Sequence, residues 1–250
     1  YIHTYIHTLH YITLHYIMWD ILVIDRSASM IDNIDGIKKG FTELVEKQIS
    51  QQSKNRFTVM GFNTSVKILS DANFPEVPDV SEEIIKVKGM TALLDSVGMA
   101  YNLILKQNKI KDVTLTVITD GMENSSKDYT IENLDKMKKD IDTDYNLKMV
   151  FIGADKNCLY GNPIALHAGH SVDCKGDLLH AMRTASSAIS SQRECTDYTP
   201  EGVVNIKSTD LLINKGAVSP LVMTRQHTLL PADDTPCCPL VKRCKFEKNC

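Results

Sequence analysis

Cysteine is missing from the first half of this chain: none of its seven cysteines precedes Cys158, and Cys237, Cys238, Cys244 and Cys250 crowd into the tail. A disulfide framework of a secreted protein spreads paired cysteines through the fold, so the core is expected to be reduced and the protein cytoplasmic. The tail cysteines contain no C-x2-C pair and have only His227 nearby, which argues against a zinc knuckle. Long apolar runs are also missing. None approaches the about 20 residues that span a bilayer, and no membrane association is expected. No excess of basic charge exists either: 28 Lys+Arg against 31 Asp+Glu leave a net charge of −3. Nucleic-acid binding needs a clustered basic face, and this balance supplies none. Neither a GxxxxGK[ST] loop nor a GxGxxG loop occurs, which removes the common nucleotide-binding classes. The first residues carry no basic segment followed by an apolar one, so no signal peptide is expected, although the chain opens on Tyr1 rather than Met.

What remains is an ordinary globular composition, 43% hydrophobic and 24% charged over 250 residues. Its two ends differ from its middle. Residues 1–8 read Tyr-Ile-His-Thr twice, and variants continue to Met18. Such a unit is too short to be a supersecondary repeat. The tetranucleotide TACA, repeated in frame, encodes it, so residues 1–18 are expected to lie outside the fold, with a start at Met18. A metal tract built from His3, His7, His10 and His15 is the functional alternative. Residues 193–250 lose periodicity, gain prolines and read as an irregular tail.

Residues 19–192 alternate strand and helix patterns. Asp20–Asp25 is a short continuous apolar run, as in a strand covered on both faces. Ile34, Ile37, Phe41, Leu44, Val45 and Ile49 follow at helical spacing. Arg56–Phe62 and Val66–Leu69 are separated by three residues, too few for a crossover, which predicts a short antiparallel strand at a sheet edge. A helix carrying Leu93, Val97, Tyr101 and Ile104, a β-branched strand Val113–Thr119, and a helix capped by Thr130 come next. A strand Lys148–Ile152, a weaker one near 171–174 and a helix over about 177–189 complete the series. The pattern predicts a doubly wound, mostly parallel open α/β sheet with helices on both faces.

In such sheets ligands bind beyond the carboxyl ends of the strands, where strand order reverses. The first strand ends in Asp25-Arg26-Ser27-Ala28-Ser29 and the β-branched strand in Thr119-Asp120-Gly121; a third loop carries Gly89-Met90-Thr91. Asp25, Ser27, Ser29, Thr91 and Asp120 can therefore converge. Two carboxylates and three hydroxyls make a hard-cation set, suited to Mg2+ or Mn2+. Taken singly, each is an ordinary loop residue that stabilises turns.

These three loops make the chain, over residues 19–191, resemble a von Willebrand factor type A domain with a metal-ion-dependent adhesion site. The likeness is greatest to small intracellular bacterial and phage-type members. It implies that Ser27, Ser29 and Thr91 contact the metal directly, with Asp25 and Asp120 direct or through water. Ala28 and Met90 depart from the family, which commonly has glycine at both places. A residue other than glycine forced to positive φ at position 28 would cost on the order of 1 kcal/mol.

The expected function is a metal-dependent protein-binding module, without chemistry of its own, that accepts a Glu or Asp carboxylate from a partner protein. Arg26, Glu123, Asn124 and the loop Asn63–Ser65 are candidates for its rim. A Mg2+-dependent phosphatase with Asp25 as nucleophile is the alternative, with His167 or His170 as base. Ser27 stands where haloacid-type phosphatases have a second aspartate. A gene fragment without function is a third reading.

Overall fold

A computed structural model describes residues 18–51, 53–153, 158–159 and 162–193, with backbone alone for 191–193. The histidine repeat, the prolines and cysteines of the tail, and His227 lie outside the described residues. Met18 is buried, its N–H donating to Asn55 Oδ1 (3.4 Å) and its carbonyl accepting from Arg56 N (3.0 Å), so it packs with the domain that follows.

Six strands form one sheet: β1 Trp19–Asp25, β2 Arg56–Phe62, β3 Val66–Asn73, β4 Asp112–Thr119, β5 Asn146–Gly153 and β6 His170–Asp173. Their order is β3-β2-β1-β4-β5-β6, and every neighbouring pair is parallel except β2 with β3. Among the described residues these helices accompany them: α1 Ile34–Ser50, α2 Ser81–Ile84, α3 Leu93–Lys106, α4 Ile131–Asp144 and α5 Leu178–Arg193. No described helix is long and apolar enough to cross a membrane.

The pleat of β1 explains why its apolar run is continuous. Trp19, Ile21 and Val23 enter the core on one face, Leu22 and Ile24 the core on the other. The second face is covered by Ile37, Phe41 and Leu44 of α1, Ile84 of α2, and Ala181, Met182 and Ala185 of α5. The first is covered by Leu93, Val97, Tyr101 and Ile104 of α3 and by Leu134 and Ile141 of α4. In α4, Thr130 accepts from Asn133 N while the Asn133 side chain accepts from Thr130 N, a reciprocal cap that fixes where the helix starts.

Strand β3 runs four residues past the expected end at Leu69. Its half-exposed residues bury too little to show as an apolar run, and its register against β2 shifts between Val59 and Met60. The arrangement that positions the site is the split at the centre. After β1 the chain covers one face with α1 and returns as β2; after β4 it covers the other face with α4 and returns as β5. The loops leaving β1 and β4 therefore diverge, and a crevice opens between them.

Candidate metal centre

Strands β1 and β4 are neighbours in register up to Ile24 and Ile118, so Asp25 and Thr119 emerge side by side. Both are fully buried. Thr119 Oγ1 donates to Asp25 Oδ2 (2.6 Å), and the Ser27 N–H donates to Oδ1 (2.7 Å). Burial pushes the Asp25 carboxyl up to about 6; the bonds from Thr119 and Ser27 work against that rise, and Asp120 adds to it.

The chain then turns through a 3-10 segment, Ala28–Asn33, that brings Ser29 back above Ser27. Their hydroxyl oxygens are 2.9 Å apart, and Ser29 Oγ donates to Asp120 Oδ1 (2.7 Å). Asp25, Ser27, Ser29 and Asp120 thus form one hydrogen-bonded chain across two loops. Thr91 reaches it through Gly121. A Cβ at position 121 would stand 3.1 Å from Thr91 Oγ1 and 3.7 Å from Asp25 Oδ2, so the glycine lets these two oxygens approach one point. All five residues singled out in the sequence come together.

The surrounding loops hold that arrangement by their backbones. Ala28 N donates to Gly89 O (3.1 Å), and Lys88 N to Arg26 O (2.8 Å). Thr91 is clamped by Asn124, whose Oδ1 accepts from Thr91 N (2.8 Å) and whose N–H donates to Thr91 O (3.1 Å). The loop Asn63–Ser65 buttresses the same segment: Asn63 O accepts from Ala92 N, and Thr64 Oγ1 from Met90 N. Gly89 sits at φ +79, where a Cβ would meet Thr64 Oγ1 at 2.6 Å. Neither Ala28 nor Met90 has positive φ; among the described residues Lys175 is the only non-glycine that does. Both departures from the family pattern are therefore accommodated without backbone strain.

Two rim candidates prove to be internal supports. Arg26 is buried, its stem packed over Gly61 and its guanidinium donating to Lys86 O (3.3 Å). Glu123 accepts from Leu94 N, Ser125 N, Ser126 N and Ser126 Oγ, which fixes the start of α3 against the β4 loop. Asp95, not singled out in the sequence, does the converse: from the first turn of α3 it accepts from Lys127, Asp128 and Tyr129 N–H groups. Asn124, expected at the rim, instead clamps Thr91, and no role was assigned in the sequence to Thr119 or Gly121. Only Thr119, a hydroxyl beside Asp120 at a strand end, left a signal.

His167 does not approach the cluster. Its Nδ1 lies 3.2 Å from the Tyr101 hydroxyl and its Nε2 2.8 Å from Asp135 Oδ1, so it joins α3 to α4. Burial lowers its pKa and Asp135 works the other way.

The donor set fits a hard divalent cation. It offers oxygen alone, and a six-coordinate ion with bonds of about 2.1 Å has adjacent ligand atoms about 3 Å apart. The separations of 2.9 Å between Ser27 and Ser29 and 2.7 Å between Ser29 and Asp120 are near that edge length. Among the described residues no group of three or more His, Cys, Asp or Glu could hold a metal. Two carboxylates with hydroxyls are the alternative that the geometry offers.

Sheet order, flanking helices and the three loops define a von Willebrand factor type A-like α/β fold. Solved structures agree with it. The PilB minor pilin from Streptococcus sanguinis superposes with a TM-score of 0.51 at 13% identity, over 71% of this chain and 62% of that one. Proximal thread matrix protein 1 from the mussel byssus gives 0.50 at 16%, over 70% and 46%. A von Willebrand factor type A protein from Catenulispora acidiphila superposes less well, at 0.48 and 13% over 68% and 42%, and adds no weight to that agreement. The chain thus spans less than two thirds of the length of these proteins, and at such identities the likeness is one of fold. No protein-family model matches the sequence, and no curated protein does.

Proposed function

We propose that this domain is a divalent-cation-dependent protein-binding module. Asp25, Ser27, Ser29, Thr91 and Asp120 hold Mg2+ or Mn2+, and a Glu or Asp side chain of a partner protein completes the site. The observation that carries this reading is the meeting of five oxygen-bearing side chains from three loops at the β1/β4 crevice. The cation, when bound, supplies a hard acceptor for an anionic oxygen. The protein's own residues do the rest: Thr119 and the Ser27 N–H orient Asp25, and Asn124 orients Thr91.

The module is proposed to have no catalytic step. Ser27 stands where a haloacid-type phosphatase would need a second aspartate, and its N–H and Thr119 Oγ1 hold Asp25 in place. His167, engaged by Tyr101 and Asp135, is not placed as its base. Titration of the full chain with Mn2+, followed by electron paramagnetic resonance, is expected to show one saturable site that Asp120→Ala removes. Equal Mn2+ uptake by the wild type and that variant would overturn the assignment.

A further inference from the structure

Large apolar side chains left in water are unremarkable when scattered singly. Here they are not scattered. Among the described residues Ile31, Ile49, Met90, Met122 and Leu166 are the exposed large hydrophobics, and three of these lie on the three site loops. Ile31, 61% exposed, stands two residues after Ser29; Met90, 50% exposed, directly precedes Thr91; Met122, 47% exposed, follows Asp120 by two. The loops that carry them are joined by Ala28 N to Gly89 O, by Ser29 Oγ to Asp120 Oδ1, and by the Asn124–Thr91 pair. The first loop thus carries Asp25, Ser27 and Ser29 together with exposed Ile31, the second Thr91 with Met90, and the third Asp120 with Met122.

From this arrangement we infer that Ile31, Met90 and Met122 form the specificity surface of the module. The occupant is a segment of another protein in which the acidic residue is flanked by apolar side chains. This rests on the proposed cation site. Charge complementarity selects the acidic residue, since a divalent ion with an open position attracts an anionic oxygen. The apolar surface selects its neighbours. Polar or charged flanks would lose water against Ile31, Met90 and Met122 without gaining hydrogen bonds, whereas apolar flanks would bury surface on both sides. Two of the three are methionines, whose unbranched, polarisable side chains adapt to partners of differing shape. The module thus reads a short pattern, apolar–acidic–apolar, rather than a single charge.

The test uses the full chain, Mg2+ and short synthetic peptides with glutamate between two leucines, glutamate between two serines, or glutamine between two leucines. Calorimetry is expected to show the leucine-flanked glutamate binding about tenfold more tightly than the serine-flanked one, with the glutamine peptide weakest. In the double variant Met90→Ser, Met122→Ser, the preference for leucine flanks should vanish. The serine-flanked peptide should bind as before, and the Mg2+-induced rise in melting temperature should persist. Equal binding of the two glutamate peptides by the wild type, binding of neither, or a preference that survives in the double variant would overturn the inference while leaving the cation site standing. Absence of the Mg2+-induced rise in the wild type would instead remove the cation site. A concentration-dependent dimer of the chain that the double variant dissolves would make a second copy the occupant, and overturn the inference as well.

Discussion

At the end of the sheet where β1 and β2 begin, polar groups close on one another. Arg56 Nε and Nη2 donate to the two oxygens of Asp71 (2.8 and 2.6 Å), and the guanidinium lies 4.1 Å from the centroid of the Trp19 ring. Thr58 Oγ1 accepts from Trp19 Nε1 and donates to Asp71, and Asn55 donates to Asp20. At the end where β1 and β4 stop, Asp25 meets hydroxyls, a backbone N–H and the further carboxylate of Asp120, and among the described residues it has no ion-pair partner. The pKa directions follow: the Arg56 guanidinium holds the Asp71 carboxyl below its usual range, and burial pushes that of Asp25 above it. Asp71 finds its counter-charge in Arg56, whereas on the proposed reading Asp25 would find its own in a cation from solution. Charge balance separates the brace from the proposed binding site more clearly than the density of polar residues does.

The largest test of that contrast is the response to metal. Mg2+ at 100 times its dissociation constant is expected to add about 2.7 kcal/mol to stability, because only the folded chain gathers the three loops. Thermal melts in Mg2+ and in EDTA measure it. Asp120→Ala should melt identically in both, and an undiminished shift in that variant would move the cation elsewhere. Next in size, Arg56→Met should lower stability by about 1–2 kcal/mol through loss of the paired hydrogen bonds and of the contact with Trp19. That loss should be the same with and without Mg2+; a loss that Mg2+ repairs would show the two ends to be coupled.

The smallest effect concerns His167, a third polar group closed within the protein. Burial lowers its pKa in the folded state below the ordinary 6.5, so the unfolded chain takes up a proton first as pH falls. Stability should therefore decline as pH drops below 6.5 and stop declining once the folded-state value is passed. His167→Asn should lack that part of the decline. Denaturant midpoints of the two proteins between pH 7.5 and 5 measure it, and parallel curves would contradict the assignment.

The buried strands and amphipathic helices were legible because each buries a periodic or continuous apolar set. The end of β3 was not: Ser70-Asp71-Ala72-Asn73 pairs through its backbone while much of it stays in water, which leaves no hydrophobic trace. Four-residue α2 was too short to carry a period. Within the site, Asp25, Ser27, Ser29, Thr91 and Asp120 could be read because they follow strand ends or precede a helix, places the topology assigns to ligands. Glu123 and Asn124 were expected at the rim and Asp95 not at all; their supporting roles could not be read, since these depend on which backbone N–H groups fold over them. Arg26 misled for a different reason. A charged residue in a loop suggests solvent, yet its stem fills the space that Gly61 leaves and its head finds a carbonyl.

The outer strand β3 bears on how these molecules behave when crowded. An open sheet invites a neighbour to add a strand and begin a fibre. Here the exposed rim is bent where Leu69 is the extra residue between Ser70, opposite Val59, and Ile68, opposite Met60, and it displays exposed Lys67 and Asp71 engaged with Arg56. The strand at the opposite rim, β6, spans only four residues. Among the described residues, a second chain approaching β3 would meet a kinked, charged border, and at β6 a ladder too brief to template growth, so both described margins of the sheet disfavour strand addition.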